Sequence, residues 1–279
     1  MTMRIDAHQH FWNPTRGDYG WLTPELTTLY RNFGPSDLLP LLETAGFQGC
    51  VTVQAAPSVE ETEYLLGIAD TCPEVLGVVG WIDFEDPADL HHLDRLARHG
   101  FFKGVRPMIQ DIEEVGWMLR PELDWAFRAV IAHDLAFDAL THPKHLPNLR
   151  RLLDRHPELR VVIDHGSKPD IARQEFDDWA RDMATIASET SALVKFSGLV
   201  TEAGPGWEAD DLRPYVDHLL DTFGAGRMIF GSDWPVVTLA SSYQRWVDAA
   251  EALTESCSAG ERIAIFGGNA VGFYRLSPP

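Results

Sequence analysis

The sequence predicts an α/β fold, specifically a (β/α)8 TIM barrel, on three observations. Short apolar runs rich in β-branched residues alternate with segments of helical periodicity, no Pro/Gly/Ser-rich linker or charge run divides them, and polar residues recur where nearly every run ends. The runs number eight: Met3–Ala7, Gly49–Val53, Val75–Trp81, Phe102–Val105, Leu135–Leu140, Arg160–Asp164, Leu193–Phe196 and Met228–Gly231. Helices are expected between them at Ser36–Ala45, Val59–Thr71, Pro87–Arg98 and Leu146–Arg155, with Ser36 and Asp37 as an N-cap and Gly46 and Gly100 as helix ends. An open doubly wound sheet would need a glycine-rich, phosphate-cradling turn after its first strand. This chain has His8-Gln9-His10-Phe11-Trp12 there instead.

A barrel of this type occupies about 250 residues as one unit, so the 279 residues are expected to form a single domain, 1–279. The apolar content of 45% is enough for a substantial core, and a net charge of -19 would repel a phosphate backbone, which argues against a nucleic-acid partner. The three cysteines, Cys50, Cys72 and Cys257, form no CxxC pair and suggest neither a disulfide framework nor a thiolate zinc site. No apolar run reaches membrane-spanning length and no signal-peptide pattern precedes the first strand, so a cytoplasmic protein is expected, with no membrane partner and with homo-oligomerisation left open. The irregular aromatic stretch Phe11–Phe33 follows the first strand and is expected to lie over the catalytic face.

The C-terminal strand ends of a barrel open into one mouth, so residues distant in sequence converge there. His8 and His10 follow the first strand, Gln54 the second, Trp81 the third and Arg106 the fourth; Asp138 and His142 belong to the fifth, Asp164 and His165 to the sixth, Lys195 and Ser197 to the seventh, and Asp233 and Trp234 to the eighth. In His8-x-His10 both imidazoles leave one face of a strand and can grip one metal ion or one anionic group. Asp164-His165-Gly166-Ser167-Lys168-Pro169 sets an acid, an imidazole and an ammonium at one strand end, although a polar turn capping a helix would read the same way. Gly231-Ser232-Asp233-Trp234-Pro235 is more specific, because a carboxylate between a tight turn and a bulky aromatic is costly for folding alone. Trp81 and Trp234 read equally as core fillers and pocket walls, Arg106 as the partner of a structural carboxylate, Asp138 as the orienter of a neighbouring histidine, and Lys195 as the neutraliser of nearby carboxylates.

Together, Ile5-Asp-Ala-His-Gln-His-Phe-Trp, Val161-Val-Ile-Asp-His-Gly-Ser-Lys-Pro, Lys195-Phe-Ser-Gly-Leu-Val-Thr-Glu, Phe230-Gly-Ser-Asp-Trp-Pro and Asn269-Ala270 resemble the sugar-lactonase branch of the amidohydrolase superfamily, which includes L-fuconolactonases and L-rhamnonolactonases. The likeness runs nearly end to end. It implies an amidohydrolase-type barrel that opens a sugar-acid lactone, with Asp233 as the base that activates water and His165 beside it in catalysis. Gln54, Trp81, Arg106, Asp138, His142, Lys168 and Trp234 are then expected to contact substrate. His8, His10 and Asp233 would hold at most one divalent ion, zinc suiting such ligands, while metal-independent action also occurs in the branch. Arg106, Gln110 and Asp111 match a stretch found in some sugar lactonases, but Pro107 stands where the fuconolactonase-like members carry histidine, so the resemblance does not fix the sugar. Two rivals share these residues. One is a metal-dependent decarboxylase of a related branch; the other is a non-catalytic sugar-binding barrel, disfavoured because a buried ionisable cluster costs stability unless it is used.

Overall fold

The computed structural model describes residues 3–277. Eight parallel strands lie in the order of the chain: β1 (Ile5–Gln9), β2 (Gly49–Val53), β3 (Val75–Gly80), β4 (Phe102–Val105), β5 (Ala136–Ala139), β6 (Arg160–Ile163), β7 (Leu193–Phe196) and β8 (Met228–Phe230). The helices between them are α1 (Pro35–Ala45), α2 (Val59–Ala69), α3 (Leu90–Leu96), α4 (Asp124–Ala132), α5 (Leu146–Arg155), α6 (Asp177–Glu189), α7 (Leu199–Ala203) and α8 (Ala209–Phe223). After β8 come α9 (Tyr243–Leu253), α10 (Ala259–Ile263) and α11 (Asn269–Tyr274).

The fold is a (β/α)8 barrel. Its seam, between β8 and β1, closes just beyond the strand ends: the His10 N–H donates to Trp234 O at 2.7 Å, and the Asp233 N–H donates to His8 O at 2.7 Å. The seam thus runs through three of the residues expected to carry chemistry. β1 also holds one more residue than β2 between the pairs Asp6–Cys50 and Gln9–Thr52, a bulge centred on His8.

Two apolar shells follow from this topology. Inside the barrel, Ile5, Ala7, Val51, Val79, Val162 and Ile229 fill the bore, and Phe273 and Tyr274 of α11 join them. The outer faces of the strands pack on the helices, as where Phe137 meets Phe84 and Phe127. Alternation of side chains along each strand supplies both shells.

Some boundaries differ from the sequence expectation for identifiable reasons. The cap of α1 is Gly34, whose N–H donates to the Asp37 carboxylate at 3.1 Å; Pro35 takes the first helical position and moves Ser36 inside the helix. The segment expected as one helix over Pro87–Arg98 divides into a 3-10 turn, Pro87–Asp89, and α3, so Gly100 lies beyond the helix end rather than at it. Gly46 does end α1 in the left-handed conformation, at φ 74°.

Candidate active site

The mouth of the barrel is organised around Asp233. Its backbone is left-handed, at φ 57°, and the turn before it is pinned from below: the Ser232 N–H donates to Asp6 Oδ1 at 2.8 Å and Tyr243 Oη to Asp6 Oδ2 at 3.1 Å. His165 comes from a second unusual segment. Four successive residues, His165, Gly166, Ser167 and Lys168, have φ values of 55°, 55°, 62° and 52°. Three carry side chains, each at a cost of roughly 1–2 kcal/mol in this region. The segment is held by Trp179 Nε1 donating to Gly166 O at 2.7 Å, by a Thr141–Ser167 hydroxyl pair at 2.9 Å, and by Ser197 Oγ at 2.9 Å from His165 Nδ1.

These supports bring three imidazoles around one carboxylate oxygen. The Nε2 atoms of His10, His8 and His165 lie 3.2, 3.7 and 3.8 Å from Asp233 Oδ1. His10 is turned by Val53 O, 2.8 Å from its Nδ1; a carbonyl only accepts, so a proton sits on Nδ1 and a neutral ring presents a lone pair at Nε2. Burial pushes the Asp233 carboxyl up, but His165, His10 and His8 outweigh it and hold the group well below the usual carboxylate range. Burial pushes the His165 imidazole down to about 4 despite the opposing carboxylates Asp233 and Asp164, and it lowers His8 and His10 too. Neutral imidazoles beside an ionised carboxylate are the donor set zinc prefers. The donor atoms of His8, His10 and Asp233 lie within 4.8 Å of one another, as do those of His8, Asp164 and His165, so either trio fits one small cation.

A second polar layer lies beneath. Lys195, wholly buried, places Nζ 2.5 Å from Asp138 Oδ2, 3.1 Å from Asp164 Oδ1 and 2.9 Å from His8 Nδ1. Tyr274 Oη donates to Asp138 Oδ2 at 2.8 Å. Burial raises the Asp138 carboxyl to about 6 against the pull of Lys195, whereas Asp164, despite its own burial, is held well down by Lys195, His8 and Arg106. Arg106 and Gln54 clasp each other, each side chain donating to the other's backbone carbonyl, and Arg106 Nη1 lies 3.5 Å from Asp164 Oδ2.

Above this floor is a cavity of about 270 Å³. His10, His165, Asp233, Arg106 and Lys168 form its polar side, with Gln110 and Asp111 from the loop after β4. Its apolar lining includes Trp21, Leu26 and Leu29 from the loop after β1, and Val236 and Leu239 from the loop after β8. The β1 loop is tied down where Trp12 and Phe33 pair backbone to backbone and where Trp21 Nε1 donates to Ala55 O at 2.7 Å.

The chain matches the amidohydrolase family Amidohydro_2 over residues 5–276. It belongs to the amidohydrolase family. Among curated relatives, it is 45% identical to an L-fucono-1,5-lactonase of Burkholderia ambifaria, over 100% of this chain and 98% of the relative. It is 36% identical to an L-fucono-1,5-lactonase of Burkholderia multivorans, over 99% and 97%. A crystal structure of an amidohydrolase from Burkholderia multivorans with bound zinc superposes with a TM-score of 0.91 at 34% identity, covering 99% of this chain and all of that one. Decarboxylases also superpose, among them 2,6-dihydroxybenzoate decarboxylase with a TM-score of 0.70, but at 16% identity this likeness extends to the fold alone. Among the described residues no helix is long and apolar enough to cross a membrane.

In this amidohydrolase the structure gathers His8, His10, His165 and Asp233 into one cluster and places Arg106 and Lys168 on the cavity wall. Five other residues expected to contact substrate are not among those that line the cavity. Gln54 and Asp138 lie under the wall, committed to Arg106 and Lys195. Trp234 is 3% exposed and packs edge-on against Phe11 and Phe33, a core role. Trp81 packs on the outer shell with its backbone N–H on Thr62 Oγ1 at 2.8 Å, and His142 starts the short turn before α5, its N–H on His145 Nδ1 at 3.0 Å. Strand-end position and the family resemblance had suggested all five; neither tells which side chains line the cavity. Trp21, Met108, Leu140, Val236 and Leu239 line it instead. Only Trp21 carried a signal, as part of the long aromatic loop.

Proposed function

We propose that this chain acts as a single-domain barrel enzyme that hydrolyses a sugar-acid lactone, an L-fucono-1,5-lactone or a close relative. The observation that carries the reading is the convergence of Asp233 with three imidazoles at the floor of a cavity lined by both polar and apolar residues. The two lactonases that match over essentially the whole chain give it a substrate class. No relative of comparable identity favours the decarboxylase reading.

Lactone opening needs a water deprotonated as it attacks, charge stabilisation at the carbonyl oxygen, and a proton for the departing alkoxide. Asp233 is ionised and faces the cavity, so it takes the water's proton and returns it to the ring oxygen as the ester breaks. Its low proton affinity favours the second transfer. Arg106 and Lys168, cations on the same wall, are placed to draw the carbonyl oxygen and orient the ring hydroxyls together with Gln110 and Asp111. The apolar wall suits the unsubstituted face and methyl end of a deoxy sugar acid. His8, His10 and Asp233 would hold a zinc ion, which when bound supplies Lewis-acid polarisation at this floor.

The test is a set of initial rates with L-fucono-1,5-lactone and a panel of aldonolactones, followed with a pH indicator against the spontaneous rate. Acid release above the blank is expected. No rate on any lactone, with carbon dioxide released from an aromatic acid, would overturn the reading.

A further inference from the structure

His8 Nδ1 lies between two groups that demand opposite things of it. The Lys195 ammonium, 2.9 Å away, can only donate a proton; the Asp164 carboxylate, 3.5 Å away at Oδ1, can only accept one. Lys195 is the nearer. While it donates, Nδ1 is a lone pair and the proton of a neutral His8 ring would sit on Nε2, which faces both an acceptor, Asp233 Oδ1 at 3.7 Å, and a donor, Arg106 Nη1 at 3.5 Å. His10 has the opposite tautomer, fixed by Val53 O. The two histidines of the His-x-His pair therefore do not present equivalent nitrogens to the site. For His8 to offer its Nε2 lone pair to a cation, its proton must move to Nδ1, where Lys195 opposes it and Asp164 accommodates it.

We propose that Lys195 is a built-in antagonist of divalent-ion binding at this site, acting through the His8 tautomer and its own buried charge, with Asp164 as the opposing group that favours the ion. The inference rests on the reading that His8, His10 and Asp233 form the ion site. Lys195 stands behind His8 and is absent from the cavity wall, so it is a positioning residue rather than a catalytic one. Its placement has a further consequence. Its Nζ lies 2.5 Å from Asp138 Oδ2 and 3.1 Å from Asp164 Oδ1, so both carboxylates have a partner beneath the cluster that does not depend on an ion.

The readout is zinc affinity, measured on chelator-stripped protein by competition with a chromophoric chelator. Lys195→Met is expected to tighten zinc binding by roughly 10- to 100-fold, the usual scale for partners of metal-ligating histidines, and Asp164→Asn to weaken it by a similar factor. Damage to the fold would weaken binding, so tightening has no merely structural explanation. Lys195→Met strands two buried carboxylates, and the double variant Lys195→Met/Asp138→Asn, which removes one charge of each sign and keeps a partner for Tyr274, guards against misfolding. Zinc bound by either Lys195 variant but not by the parent would support the proposal equally. Affinity that is lost in His10→Ala yet unchanged or weaker in both Lys195 variants overturns the inference alone. Zinc binding that His10→Ala leaves intact, or zinc bound by none of these proteins, overturns the ion site and the inference together.

Discussion

Gly198 stands directly behind the His165 ring, and replacing it by alanine tests whether that ring must hold its position for activity. A Cβ at Gly198 would lie 2.4 Å from His165 Nδ1 and 2.6 Å from its Cγ, about 1 Å short of ordinary van der Waals contact. The backbone offers little relief, since Gly198 is left-handed at φ 67° and its neighbour Ser197 is the hydrogen-bond partner of the same ring. Two costs follow: roughly 1–2 kcal/mol for a side chain in this conformation, and about 1–3 kcal/mol for overpacking. Stability should fall by about 2–5 kcal/mol in urea denaturation. If the ring yields by the missing distance, Nε2 moves off Asp233, and a misplacement of about 1 Å in a catalytic constellation costs on the order of 10²-fold in rate. Gly46→Ala is the matched control, because Gly46 is also left-handed, at φ 74°, but a methyl added there would meet nothing within 4 Å, and it lies at the end of α1. It should lose only the conformational part and keep full kcat on the lactone. A Gly198→Ala enzyme with kcat within a few-fold of the parent, or with a stability loss no greater than that of Gly46→Ala, would refute the claim that His165 is held rigidly against this backbone.

Three further outcomes follow from the geometry. Asp233→Asn keeps shape and hydrogen-bonding reach but loses the base, so kcat for lactone opening should fall by roughly 10²–10⁴-fold with KM less affected; a folded variant within a few-fold of the parent would assign the proton transfer elsewhere. Trp21→Phe keeps the apolar wall but loses the 2.7 Å bond to Ala55 O, worth about 1 kcal/mol, so KM should rise several-fold while kcat changes little, and an unchanged KM would show that the β1 loop needs no such tie. Glu61, whose oxygens accept the Ala55 N–H at 2.9 and 3.2 Å beneath the loop, is pushed up to about 8 by burial against those hydrogen bonds. The unfolded chain therefore releases this proton near pH 4.5 while the native state retains it, and stability is lost progressively from there to about pH 8, at roughly 1.4 kcal/mol per unit of pKa difference. Glu61→Gln should remove that slope, becoming steadily more stable relative to the parent between pH 5 and 8 in denaturant titrations; parallel curves for the two proteins would contradict a buried, protonated Glu61.

The eight strands were legible because local pattern governs them. Short β-branched runs between helical periods can be satisfied only by a sheet covered on both faces, and each of the eight runs overlaps an observed strand. The four central residues of the cluster were legible because a barrel sends its strand ends to one mouth whatever their separation in sequence; His8 and Asp233 are 225 positions apart and meet at the closing seam. The same rule does not separate Gln54, Asp138 and Trp234, which are outside the cavity lining, from the residues that form it. It says which end of the barrel a residue occupies, but not whether its side chain reaches the cavity or the layer below.

The sequence by itself determined the fold class, the order of the strands, the identity of the central carboxylate and its histidines, and through its motifs the family. Tertiary structure alone decided how those groups are poised. The left-handed run His165–Lys168 depends on Trp179 and Thr141 to hold it, and the groups that face the Nδ1 atoms of His8 and His10, Lys195 and Val53 O, are contributed by other strands. The apolar wall is set by where the loops after β1 and β8 come to rest. Each of these is a contact between residues far apart in the chain, and its energy exists only once the barrel has closed; no local pattern can encode it.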